Sequence, residues 1–463
     1  MPRRILRPLT IAASGLCALV ILAYAILLPR GHWQGDEFIT IALMRHGSWA
    51  FERYFFVSWS PRAISNALYA TYGAAVNATG RPLITACLGL LWIALGTACL
   101  APALLRAPRV PRALTGLAIF ALFLVGHDVT EVFYWPGGGL SYLPTLAGAA
   151  WLFWCLTDGP PLCVSRQVGA ALALCLIAGC SEVGIFLALT ICACLAPYLF
   201  RPAIRQALWL LPGFGIAAVD LYFLLHGRVG TIEMRGPDAP TVHHIGASLR
   251  AAILPFTAQL LAPDTGPAGA AAVARSIVAR LAIFLAARWA APSLTPNRVP
   301  ALLLPYAAAL LLADFATIAA SYDQFGVLCC NRHDTMRACF VCLSLVCLGA
   351  WSAGRWPPRA ARPTWAEAAW VGAILLLFVP ELGGLAADLK SMPKVVTARA
   401  QTWASGFSAG PDMVLTLEPQ GRVVNANSFP TGTFTRDKTT AWYDLGILNF
   451  FNKDRLTVVK PAP

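Results

Sequence analysis

"LTIAASGLCALVILAYAILLPRGHWQGDEF", residues 9–38, decides how the whole chain is read. The run from Leu9 to Leu28 carries no charge, and at about 1.5 Å per residue it is long enough to cross a hydrocarbon core of roughly 30 Å. Directly after it come Asp36 and Glu37, the first two acids of a 463-residue chain in which only 12% of residues are charged and 58% are hydrophobic. Such a balance argues for a bilayer as the main solvent rather than for two or three soluble domains. Arg3, Arg4 and Arg7 before the run would also suit a signal peptide. The run is long for that role, and Leu28-Pro29-Arg30 lacks a small-x-small cleavage site, so 8–28 is the expected first transmembrane helix.

Working outward, similar runs predict further spans near 83–105, 113–130, 141–157, 168–181, 183–200, 207–225, 270–288, 300–320, 338–353 and 365–387, about eleven in all. The fold class expected is an all-α polytopic membrane protein. Connections at 106–112, 158–167, 201–206, 288–298 and 354–363 all carry Arg and Pro, so a single topology makes every one cytoplasmic. The amino terminus is then inside and the carboxyl terminus outside. For a bacterial chain this is a multi-pass protein of the inner membrane with a periplasmic tail. Positive-inside loops account for much of the +13 net charge, and no nucleic-acid motif is present.

Segments 61–79 and 246–262 are apolar too, but adding either one alone would turn the basic loops outward. They are expected along the outer interface, the first with Arg62, Ser65, Asn66 and Asn77 as its polar face. The runs 168–181 and 183–200 suit one irregular hairpin whose turn, CSEVG, is shielded by protein. Two domains are expected: a membrane domain over 1–387, with a first outside loop at 29–82, and a periplasmic region of mixed or β character over 388–463. In that region MVLTLE and RLTVV read as strands. The 14 cysteines sit mostly singly in apolar runs and show no zinc spacing. The pair Cys329-Cys330, in an outside loop, is able to oxidise or to stay as two plain thiols.

This topology puts nearly every titratable group other than Arg on the outer face: Asp36, Glu37, Asp128, Glu131, Glu182, His243, His244, Asp323, His333 and Asp334 among them. A wet surface would account for any one of these residues. The gathering of the set on one face points to an outward-facing site. Within the first loop, Phe38, Ile41, Ala42 and Met44 or Arg45 recur at helical spacing, with Asp36-Glu37 at the helix start. Acids there also suit the helix dipole, which leaves a plain capping role open for either one.

The string GDEFITIALMRHGSW, after a first span, resembles the acidic loop motif of the protein O-mannosyltransferase and aminoarabinose transferase group, lipid-linked sugar transferases of the GT-C fold. GRPLITACLGLLWIALG (80–96) is similar to their "PPL" entry to the next span, with Arg81 in place of the first proline. EVFYWPGGGLSYLP (131–144) resembles an aromatic motif of related uncharacterised bacterial multispanning families. The motifs cover about the first 150 residues. The resemblance implies transfer of a sugar from a polyprenyl-phosphate-linked donor to an envelope glycan, lipid or protein acceptor at the outer membrane surface. It carries the family's acid onto Asp36, with Glu37 as second position.

Such a reaction needs a base for the acceptor's proton, which Asp36 would supply, and cations for the departing phosphate. Arg332 and His333 are the leading candidates for the second task, followed by Arg228, Arg235, His243 and His244; each also reads as solvated loop charge. Trp135 and the following Pro-Gly-Gly-Gly form an expected turn, with Tyr134 and Tyr142 offering faces to a sugar or prenyl chain. A plain hairpin would use the same residues. Glu131 and Glu182 suit sugar hydroxyls or helix caps. No cofactor is required; a divalent cation such as Mg or Mn at Asp36-Glu37 is open. The alternative function is a transporter or flippase of a lipid-linked glycan, for which Asp220 and Asp314 lie inside spans but no internal repeat is found.

Overall fold

The computed structural model describes residues 3–460 except 46, 48–52, 54–55, 58–59, 105–108, 158, 201–203, 228–244, 262–269, 295–300, 327, 329–330, 357–363, 426–428 and 440. The chain is a helical bundle: α1 Arg3–Ile26, α2 Gly35–Met44, α3 Ala63–Thr79, α4 Ile84–Leu104, α5 Arg109–Gly126, α6 Thr130–Phe133, α7 Pro136–Leu156, α8 Val164–Ala178, α9 Glu182–Phe200 and α10 Leu210–Gly227. It continues with α11 Ile245–Leu261, α12 Ala270–Leu294, α13 Leu303–Phe325, α14 Asn331–Arg355 and α15 Thr364–Phe407. Among the described residues six helices are long and apolar enough to cross a membrane, and four shorter apolar segments accompany them.

Helix α7 is the centre. Apolar and small residues surround it on all sides, which leaves it no face for water, and it is buried along nearly its whole length against α4 and α8. Gly148 shows why small residues are needed: a Cβ there would lie 2.8 Å from the Ala173 carbonyl of α8. On the other side α13 and α14 pack together, α9 lies on α13, and α12 lies on α14. A cluster of charged groups is buried among them. Asp314 of α13 is 3.9 Å from Arg337 Nε of α14, and Arg337 also bonds Asp334. Neither acid stands alone, as expected where desolvating a single charge is costly.

The hairpin of α8 and α9 has the expected shielded turn, with Gly179 O accepting from the backbone N–H groups of Ile64 and Ser65 at the start of α3. Helix α3 itself departs from expectation. Its polar residues face protein rather than an interface: Ser65 Oγ is 3.0 Å from Ser141 Oγ of α7, and Asn66 donates to Ser60 O. The hydrogen bonds available inside the bundle outweigh hydration of that face.

The boundary expected at 387/388 falls within α15, which runs unbroken for 44 residues, about 66 Å at the usual rise. A loss of hydrophobicity changes the solvent a helix prefers and does not break its hydrogen bonds. Beyond α15 comes a three-stranded sheet of β1 Asp412–Thr416, β2 Gly432–Thr435 and β3 Arg455–Val459, with α16 Trp442–Phe451 packed on α2. MVLTLE and RLTVV become β1 and β3, which pair in parallel, with β2 antiparallel on the far side of β3.

Two ion pairs tie this region to the first loop. Asp388 of α15 accepts from the N–H groups of Arg422, Val423 and Val424 at 2.7, 3.0 and 2.9 Å, with Arg30 Nε 3.9 Å away. Arg399 grips Glu418 with two bonds and donates to Pro29 O and Gly31 O. Asp388→Ala should remove the counter-charge of buried Arg30 and leave the N–H groups of Arg422, Val423 and Val424 without their acceptor. Breaking such a pair typically costs about 3–5 kcal/mol. The variant should therefore melt at lower temperature and be cut by protease between α15 and β3 faster than the wild type; unchanged cleavage would show that the pair is dispensable.

Candidate functional site

Helix α2 places the two acids in different surroundings. The expected period is observed, with Phe38, Ile41 and Met44 buried. At the helix start Glu37 reaches back to accept the Gln34 N–H at 2.9 Å, and its other oxygen accepts the Gly137 N–H at 2.8 Å. Its side chain is fully buried. Glu37 thus ties α2 to the first turn of α7, a hundred residues away. The stretch Trp135–Gly139 is not a free turn for a ligand: α7 begins at Pro136, and it is the Glu37 carboxyl that approaches the glycines. A Cβ on Gly137 would lie 2.7 Å from Glu37 Oε1, and one on Gly138 would overlap the Glu131 carbonyl. Glycine is needed here for close approach, not for its backbone angles.

Asp36 is only partly covered and faces cations. Burial pushes its carboxyl above the usual carboxylate range, while Arg332 and Arg62 pull it back. Arg332 comes from the start of α14, where its backbone N–H donates to Glu131 Oε2 at 3.0 Å. Glu131 therefore supplies the negative charge that a helix amino terminus favours. The Arg332 guanidinium carbon lies 5.2 Å from the Trp135 ring centre, in cation–π contact. Next to it, His333 Nε2 is 3.1 Å from the Tyr142 hydroxyl.

Arg62 closes the other side. It donates to Glu182 Oε1 at 2.6 Å and to Ser141 Oγ at 3.0 Å, and Ser60 Oγ donates to the same Glu182 oxygen at 2.6 Å. Ser60, Arg62 and Ser141 were not among the expected site residues. A signal was present in the sequence: Arg62 lies in the first outside loop, away from the cytoplasmic basic connections, and directly follows Pro61 before an apolar helix.

The geometry gathers Asp36, Glu37, Arg62, Glu131, Trp135, Tyr142, Glu182, Arg332 and His333 at one end of the bundle. It takes Tyr134 elsewhere: that ring is buried in the core beside Trp92, and its hydroxyl donates to Tyr24 O at 2.7 Å. Tyr134 ends the short α6 with its side chain turned inward, opposite to the expected substrate face. Arg228, Arg235, His243, His244 and the pair Cys329-Cys330 lie outside the described residues.

Both Glu37 oxygens accept backbone N–H groups, so its buried carboxyl holds the start of α2 against the first turn of α7. With Glu37 engaged in this way and Asp36 under the influence of Arg332 and Arg62, the acid pair is a poor fit for a divalent cation. Among the described residues no three His, Cys, Asp or Glu side chains gather as a metal site.

Family models, curated proteins and solved structures offer no match to this chain.

Glu37 also carries a pH prediction. Burial, opposed by Trp135 and by the two N–H bonds, pushes its carboxyl up to about 8 from an ordinary 4.5. A raised carboxyl holds its proton longer in the folded state than in the unfolded one, so stability falls as pH climbs from about 4.5 to about 8 and levels off above. Glu37→Gln should flatten that slope. It should also cost about 1–3 kcal/mol, since an amide N–H₂ would face one of the two backbone donors. Melting temperatures between pH 5 and 9 measure both effects; an unchanged slope would remove Glu37 as its source.

Proposed function

We propose that this chain is a GT-C-like membrane glycosyltransferase of a bacterial inner membrane, moving a sugar from a polyprenyl-phosphate-type donor to a cell-envelope glycan, lipid or protein acceptor. In this reading α1, α4, α5, α7, α8, α9, α10, α12, α13, α14 and α15 are the eleven spans, α3 and α11 lie to the side, and the end bearing Asp36 is periplasmic. One observation carries the reading: a half-buried carboxylate, Asp36, faced by the guanidinium groups of Arg332 and Arg62 beside the aromatic rings of Trp135 and Tyr142.

In the reaction an acceptor hydroxyl attacks the anomeric carbon, and its proton passes to Asp36. The bond from that carbon to the phosphate oxygen breaks, and the electron pair leaves with the phosphate. Burial of Asp36 raises its proton affinity, which suits a base, while the arginines pull against that rise. Arg332 faces the growing phosphate charge, with its guanidinium in contact with the Trp135 ring. Arg62, anchored on Glu182, adds positive field with less freedom to move. Trp135 and Tyr142 are themselves buried, so in place of the substrate face expected for them they pack against the Arg332 and Arg62 guanidinium groups from within the protein.

The test is reconstitution of the purified protein in liposomes with a panel of radiolabelled polyprenyl-phosphate hexoses and an envelope extract as acceptor. At least one donor should be converted to free polyprenyl phosphate and labelled product. A protein that consumes no donor faster than empty liposomes would overturn the reading. The paired charges Asp314 and Arg337 within the bundle favour the transporter alternative, which predicts movement of intact donor across the liposome without cleavage.

A further inference from the structure

Helix α16, WYDLGILNFF, buries Ile447, Leu448, Phe450 and Phe451 and lies against α2, the helix that carries Asp36. Local chemistry fixes its end. Asn452 takes a left-handed conformation with φ 53°, which asparagine tolerates better than most residues. Its N–H bonds Asn449 O, and that of Lys453 bonds Leu448 O, which closes the last turn. Lys453, 3% exposed, then donates through Nζ to Ser408 O at 2.5 Å and to Gly410 O at 2.8 Å. The helix is thus anchored from behind on the segment that leaves α15.

In front, Gly446 meets the first turn of α2. A Cβ at 446 would lie 2.3 Å from Ile39 Cγ1 and 3.4 Å from Gly35 O, so the two helices touch with no room for a side chain between them. Gly35 immediately precedes Asp36. The far end of α2 is held by the same helix: Arg45 donates through Nη1 to Phe450 O, and its guanidinium carbon lies 4.5 Å from that ring centre. Its Nε donates to Asn77 Oδ1 of α3 at 2.9 Å. Between these ends Phe38 packs on Phe450, with ring centres 5.6 Å apart.

An α-helix turns about 100° per residue, so Gly35 and Ile39 share one face of α2, Glu37 lies roughly opposite, and Asp36 projects between the two. One face rests on Gly446, and the other is tied through Glu37 to the Gly137 N–H. Any rotation of α2 that turned Asp36 away from Arg332 and Arg62 would strain one of these contacts. Close-packed interiors pass such a displacement on instead of absorbing it.

We propose that Gly446 is a positioning residue of the site, through which the C-terminal region sets where Asp36 stands relative to Arg332 and Arg62. The effect on the reaction passes through α2, and it rests on the reading of Asp36 as base. The hold of α16 on α2 does not.

The experiment exchanges volume across the contact in the full-length protein. Gly446→Ala adds a methyl group against Ile39, Ile39→Ala removes the atoms it meets, and the double variant restores the fit. Gly446→Ala should lower sugar transfer per folded molecule by about 10- to 100-fold, since misplacing a reacting group by roughly 1 Å is enough for that. The KM for the donor should stay unchanged and the acidic limb of the pH profile should move; the double variant should recover both rate and limb. A merely structural role would lower the yield of folded protein and leave turnover per folded molecule and the limb in place. Hydrogen exchange read by mass spectrometry needs no activity: amides of residues 36–44 should exchange faster in Gly446→Ala and return in the double variant, with those of α14 unchanged. Should Gly446→Ala not fold, Arg45→Met, at an exposed position, loosens the same contact from its other end and should change exchange and limb to a smaller extent. Unchanged exchange at 36–44, rate and limb unmoved in the folded variants, or a double variant no better than Gly446→Ala would each overturn the proposal. A wild-type protein that transfers no sugar would overturn the transferase reading by itself, and exchange at 36–44 would still decide whether α16 holds α2.

Discussion

Asp36→Asn should lower the turnover of sugar transfer by about 10²- to 10⁴-fold, the usual contribution of a positioned general base. Asparagine keeps the size of the side chain and its place on α2 but cannot take a proton. Because Asp36 faces Arg332 and Arg62, removing its charge leaves those cations less compensated. Affinity for the lipid phosphate should therefore hold or rise while turnover collapses. This split distinguishes a lost base from a damaged site, in which both would worsen. The pH profile provides a second readout. Transfer by the wild type should fall on the acidic side as Asp36 protonates, at a pH above the ordinary aspartate value of 3.8 because burial raises it. A correctly inserted Asp36→Asn protein that transfers at wild-type rate would end the assignment of Asp36 as base.

Arg332→Met should cost about 10²- to 10³-fold in turnover, as loss of a donor aimed at transition-state charge commonly does. This substitution separates chemistry from folding unusually well. The contact that starts α14 is made by the backbone N–H of Arg332 with Glu131, and a methionine keeps that N–H. Melting temperature should therefore change little. Arg332→Lys should recover part of the rate, since lysine keeps the charge but not the flat two-donor edge or the stacking on Trp135. Without Arg332 one of the two influences that lower the Asp36 proton affinity is gone, so the acidic limb of the pH profile should move to higher pH. If rate and limb both stay where they are, Arg332 does not face the reacting phosphate.

These two residues were legible in the sequence for different reasons. Asp36 stands out as an acid directly after an uncharged run, and Arg332 as a cation on the face that also holds most of the acids. Both signals depend only on where charge sits relative to apolar segments. The roles of their neighbours were not legible. Glu37 next to Asp36 has the same chemistry and nearly the same position, and only the structure shows its bond to the Gly137 N–H of a different helix. Arg62 read as the polar face of an interfacial helix until Glu182, 120 positions later, proved to be its partner. Tyr134 and Trp135 are adjacent and both aromatic, yet one is bonded to Tyr24 within the core and the other lies against Arg332.

What the sequence by itself determined is the set of elements: apolar runs long enough to be buried or to cross a bilayer, the helical period of α2, the alternating strands β1 and β3, and the separation of acidic from basic connections. These are local properties, because hydrophobicity and periodicity are sums over neighbouring residues. Tertiary structure alone decided which side chains meet. Hydrogen bonds and ion pairs between residues a hundred or more positions apart depend on which helix ends come together, and pairwise preferences along the chain do not encode that. The same reason explains why α15 passes through a change of composition without breaking.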